Sequence, residues 1–105
     1  MKLVSYKKRA INKNLEYNLT SDWLKTKLAV GICEATGLPF KYRPKNSTLN
    51  PFLPSIDRID SNKGYTRENC RVVITAFNLL KSDFDEETLE IFCKNFISKY
   101  EKDNS

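Results

Sequence analysis

Asp57, Arg58 and Asp60 fall within four residues of one another, in the stretch Ser55-Ile56-Asp57-Arg58-Ile59-Asp60. Like charges this close repel, so either a cation or a phosphate holds them together, or they form a solvated loop rim. The amide of Asn78 is the other group of interest. A carboxylate and a carboxamide oxygen form a sparse pair of hard ligands that leaves room for water and a phosphate oxygen. That suits Mg2+ (or Mn2+), which binds through one or two protein carboxylates plus substrate phosphate. Arg58 offers a planar fork to a phosphate. Lys81, three residues after Asn78 on roughly the same helix face, is placed to touch backbone phosphate.

The elements that must position these residues can be read along the chain. Thr20 or Ser21, Asp22 and Gly31 punctuate a helix near 21–30, and Trp23 or Leu24 with Leu28 forms its apolar face. Gly37 and Pro39 mark a turn. Residues 41–54 read as a long loop in which Lys41, Arg43 and Lys45 are candidate phosphate contacts. Short strands at Ser55–Ile59 and Cys70–Val73 flank a turn at Ser61-Asn62-Lys63-Gly64. A short helix near 74–81 follows, so the local unit is strand, loop, strand, helix, which lets Asp57 face Asn78. Asp85 caps a last helix from about 86 to 100. Leu89, Phe92, Cys93, Phe96, Ile97 and Tyr100 there have the spacing of a core-facing stripe. The fold class expected is α+β.

Composition narrows the options. A chain of 105 residues forms one domain with a modest core. It has no run long and apolar enough for a membrane span, and its start turns polar too soon for a signal peptide, so a cytoplasmic setting is expected. Cys33, Cys70 and Cys93 are odd in number and contain no Cys-x-x-Cys pair, which argues against a disulfide framework and against zinc. The absence of histidine excludes a His general base and a Ser/His/Asp triad. Residues 1–50 hold ten Lys/Arg against three Asp/Glu, net +7, and residues 51–105 hold eight against ten, net −2. A basic first half suggests an anionic partner, with nucleic acid foremost. Residues 1–18 read as a basic arm, 19–100 as the domain and 101–105 as a tail.

The ordered set Cys33-Glu34-Ala35-Thr36-Gly37-Leu38-Pro39-Phe40, Ser55-Ile56-Asp57-Arg58-Ile59-Asp60, Lys63-Gly64-Tyr65-Thr66, Asn69, Asn78 and Lys81 resembles the HNH (ββα-metal) endonucleases. The nearest likeness is to small phage-type members with an S-L-D-R-I-D…K-G-Y…N motif. The resemblance covers about residues 19–97 and implies a metal-dependent endonuclease acting on DNA. It makes Asp57 and Asn78 the metal ligands and Asn69 the brace of a loop that turns at Gly64. Arg58 stands where the family has its general-base His, and a guanidinium cannot accept a proton. Arg58, Asp57 and Asp60 are the candidate catalytic residues. Asp60 is a second ligand, a base acting through water, or a turn former. Lys63 and Arg71 join Lys41, Arg43, Lys45 and Lys81 as candidate nucleic-acid contacts. The alternative is a catalytically inactive nucleic-acid-binding or host-interaction protein that retains the same fold.

Overall fold

The structure is a computed structural model that describes residues 1–43 and 50–105, so Lys45 lies outside the described residues. It is α+β, with four helices and one two-stranded antiparallel sheet among the described residues. The helices are α1 (Leu3–Asn12), α2 (Ser21–Val30), α3 (Thr75–Lys81) and α4 (Glu86–Asp103). The strands are β1 (Pro54–Arg58) and β2 (Cys70–Ile74).

The sheet register pairs Ile56 with Val72 and Asp57 with Arg71. Val72, Val73 and Ile74 are all buried, because α3 follows β2 directly and folds back over the hairpin while α2 packs against β2 from elsewhere. The β-branched run in β2 suits a strand enclosed in this way. In α2, Thr20 Oγ1 accepts from the Trp23 backbone N–H at 3.1 Å, and Gly31 closes the helix in the left-handed region at φ 75°. Such a stop favours glycine because a Cβ is disfavoured there.

The first eighteen residues are not a loose arm: one face of α1, with Leu15 and Tyr17 after it, packs on the core. Leu3, Tyr6 and Ala10 lie on one face of α1, where Tyr6 and Ala10 are buried. The Tyr6 hydroxyl accepts from the Ile56 backbone N–H at 3.4 Å, and the Glu16 carbonyl accepts from the Tyr65 N–H at 2.8 Å. Asn18 N–H then donates to the Tyr65 carbonyl at 3.0 Å, so the N-terminal segment is laced to the hairpin loop.

The expected core stripe of α4 is only partly a core stripe. Leu89 is buried and Cys93 half-buried, but Phe92, Phe96, Ile97 and Tyr100 are exposed, with Phe96 at 69%. The apolar spacing runs from Leu89 to Tyr100 of this 18-residue helix, but the body of the domain ends beneath its first two turns. Its cap is as expected, since Asp85 Oδ1 accepts from the Thr88 N–H at 2.8 Å.

Candidate functional site

The loop between β1 and β2 is held from inside by two residues. Asn69 Oδ1 accepts from the Asp60 N–H at 3.0 Å, and its Nδ2 donates to the carbonyls of Asp60 at 3.0 Å and Gly64 at 2.9 Å. One buried amide thus ties both ends of the turn. Arg58 Nη1 donates to the carbonyls of Ser61 at 2.7 Å and Lys63 at 3.1 Å, and its guanidinium lies 4.8 Å from the Tyr65 ring centroid. Asp60 Oδ1 accepts from the Asn62 N–H at 2.9 Å, an Asx turn that gives this carboxylate a loop-shaping role. Gly64 is buried against the Glu16 backbone, which leaves no space for a Cβ.

Asp57 is not at a surface. Its side chain is 2% exposed and lies between two cations, Lys81 Nζ at 3.0 Å from Oδ1 and Arg71 Nε at 2.9 Å from Oδ2. Lys81 itself is 1% exposed and donates a further bond to the Arg58 carbonyl at 2.8 Å. Arg71 is also ion-paired to Glu86. Lys81 is therefore sealed away from any phosphate, committed to Asp57 inside the fold where burying a charge requires a partner, while the partly exposed Arg71 is shared between Asp57 and Glu86. Asn78 Nδ2 donates to Ser55 Oγ at 2.7 Å and the Ile56 carbonyl at 3.1 Å, pinning α3 to β1.

These bonds decide whether a divalent cation suits the pair. Both oxygens of Asp57 already accept charge-assisted bonds, and a metal there would sit beside an ammonium and a guanidinium. Among the described residues there is no group of three or more His, Cys, Asp or Glu able to hold a metal ion. The Asp57 and Asn78 side chains as arranged do not fit Mg2+ or Mn2+.

The arrangement does build a polar cleft of about 310 Å3 at the corner of α1, β1 and α3. Asp57, Arg58 and Asn78 all line it, together with Arg9, Lys13, Ser61, Tyr65, Ser82 and Asp83. Tyr6 and Tyr65 pack with tilted rings, centroids 5.8 Å apart at 59°, and Arg9 lies 4.7 Å from the Tyr6 centroid. Two guanidinium groups, Arg9 and Arg58, are thus presented by a pair of tyrosines. With Asp57 neutralised from behind, Arg9, Lys13 and Arg58 face only Asp83, and the cleft is cationic.

Arg9 and Lys13 do not emerge from the motif, because they lie more than forty residues before it. Their signal is the i, i+4 spacing of two cations three residues after Tyr6. Lys41, Arg43 and Lys63 are exposed but do not line the cleft; Lys41 Nζ lies 4.6 Å from the Phe52 centroid. Glu34 is more than a solvated charge. Its Oε2 accepts from the Val72 N–H at 2.7 Å and its Oε1 pairs with Lys27 at 2.6 Å, so it satisfies the free edge of β2.

No family model matches the chain, and no solved structure does. It is 31% identical over 105 residues to an uncharacterized protein of Acanthamoeba polyphaga mimivirus, covering 97% of this chain and 18% of that protein. It is 32% identical over 80 residues to an uncharacterized 29.0 kDa protein of Enterobacteria phage T4 from the dda-modA intergenic region. That match covers 76% of this chain and 30% of the phage protein. The chain therefore spans less than a third of the length of either relative.

Proposed function

We propose that this domain binds nucleic acid, DNA foremost, by seating a backbone phosphate in the cleft of Arg9, Lys13 and Arg58, on a hairpin-and-helix unit of the HNH (ββα-metal) type. The observation that carries the reading is the convergence of three cations from α1 and β1 on a cleft whose own carboxylate is neutralised internally. Arg9 and Arg58 each lie beside a tyrosine ring and offer planar guanidinium groups that suit contact with phosphate, Arg58 through the donors that its Nη1 bonds to Ser61 and Lys63 leave over. Phosphate contacts of this kind give affinity and register without sequence information. The order of Asp57, Arg58, Asn69 and Asn78 along the chain supports the family reading.

A second reading, a metal-dependent DNA endonuclease, is favoured by Asp57, Arg58 and Asn78 lining the same cleft. It requires the Asp57 carboxylate to leave Lys81 or Arg71. One experiment separates the two: labelled duplex DNA titrated by fluorescence anisotropy, beside a supercoiled plasmid incubated with Mg2+ or Mn2+, with and without EDTA. Binding without cleavage supports the first reading, and EDTA-sensitive nicking supports the second. Neither binding nor nicking overturns both.

A further inference from the structure

From Phe92 to Tyr100, α4 presents an apolar face that nothing among the described residues covers. Phe92, Phe96, Ile97 and Tyr100 are each at least half exposed, and Phe84 packs edge-on against Phe92 with centroids 5.7 Å apart. Phe96 and Tyr100 stack with centroids 6.0 Å apart. An apolar patch of this extent marks an interaction surface, since isolated exposed hydrophobics do not line up along a helix in this way.

The charges on the same helix indicate what covers it. Residues 86–93 carry Glu86, Glu87 and Glu90 and no cation, net −3. Residues 94–103 carry Lys94, Lys99 and Lys102 against Glu101 and Asp103, net +1. A lipid surface, usually anionic, would be repelled by the first half. A second copy running antiparallel about Phe96 sets Glu90 of each copy against Lys102 of the other. The in-helix pairs Glu90–Lys94 at 2.7 Å and Lys99–Asp103 at 3.1 Å are highly exposed, so they exchange partners at little cost. Burying these aromatic faces in two copies removes on the order of 1,000 Å2 from water, near the lower bound for a specific dimer.

We propose that the chain forms a homodimer through α4 packed antiparallel on α4, with Phe96 near the two-fold axis and Phe92 of each copy against Tyr100 of the other. The contact is isologous, so Glu90 of each copy meets Lys102 of its partner. The proposal is independent of the nucleic-acid reading.

Sedimentation equilibrium of the full chain, from micromolar to millimolar concentration, tests it. The expected result is a concentration-dependent dimer. Phe96→Glu places like charges at the axis and should raise the dimer dissociation constant by at least about tenfold. The helical circular dichroism and melting of the chain should not change, because Phe96 touches nothing in the core. Glu90→Lys should weaken the dimer, and adding Lys102→Glu should restore it. A monomer at every concentration overturns the proposal, as does a dimer indifferent to Phe96→Glu. Failure of the charge exchange to restore association overturns the antiparallel arrangement.

Discussion

The ammonium of Lys81 lies 3.0 Å from Oδ1 of Asp57, and both side chains are almost sealed from water. It occupies the space between that carboxylate and the Arg58 carbonyl, so a side chain supplies positive charge where the family resemblance implies a metal. Lys81→Ala should cost about 3–5 kcal/mol, because Asp57 is left buried with one cation fewer. Asp57→Ala should be at least as severe, since it strands both Lys81 and Arg71. Lys81→Met combined with Asp57→Asn should lose less than the sum of its single changes. Urea melts of the four proteins check this. A loss below about 1 kcal/mol in Lys81→Ala would show the pair to be only loosely made.

The hairpin and the short helix were legible in the sequence because short β-branched apolar runs and the turn at Lys63-Gly64 are local signals. The burial of Asp57 was not. It depends on Arg71 across the strand register and on Lys81 one helix later, and neither pairing has a signature in sequence spacing. The α1 stripe was hidden for a different reason: Val4 and Ile11 are exposed, at 62% and 67%, while the small Ala10 lies in the core. On α4 the apolar spacing marks one helix face, but periodicity does not say where the body beneath a helix stops, and most of that face is exposed.

The turn between the strands is expected to be the least tolerant loop in the chain. Gly64→Ala would drive a Cβ into the Glu16 backbone, a rigid neighbour, and should destabilise by roughly 1–3 kcal/mol. Asn69→Ala removes three hydrogen bonds and leaves the Asp60 N–H and the Asp60 and Gly64 carbonyls to find other partners, at about 2–3 kcal/mol. Thermal denaturation of both variants checks the pair. Wild-type melting of Gly64→Ala would mean that the loop can step away from the Glu16 backbone.

Arg9→Ala combined with Lys13→Ala should lower DNA affinity at low salt and reduce the slope of log affinity against log salt by about 2, one for each lost phosphate contact. Neutralising Lys41 and Arg43 should change the slope less, because neither lines the cleft. The reverse ranking, measured by anisotropy across a salt series, would move the interface to the 41–43 segment.

The Cys70 thiol is pushed up from 9.0 to about 12, chiefly by burial, with Asp57 adding to the effect and Arg58 opposing it. A raised folded-state value means that the unfolded chain loses this proton first. The stabilisation is therefore whole below about pH 9 and falls as pH climbs from 9 toward 12. Burial raises Tyr17 as well, with a contribution from Cys70, so its effect has the same sign. Urea melts across this alkaline window should show the decline, and Cys70→Ala should flatten part of it. An unchanged slope in Cys70→Ala would assign the whole effect to other groups.

The lacing of α1 and residues 16–18 to the hairpin also bears on the order in which the molecule assembles. The Tyr6–Ile56 and Asn18–Arg67 hydrogen bonds join positions 50 and 49 residues apart. Contacts this distant close late, because a long stretch of chain must be ordered before they form. During synthesis α1 leaves the ribosome before β1, yet the surface it packs on does not exist until β1 and the loop to Arg67 have followed. The side of the cleft that carries Arg9 and Lys13 is thus completed only when an earlier-made segment docks onto a later one.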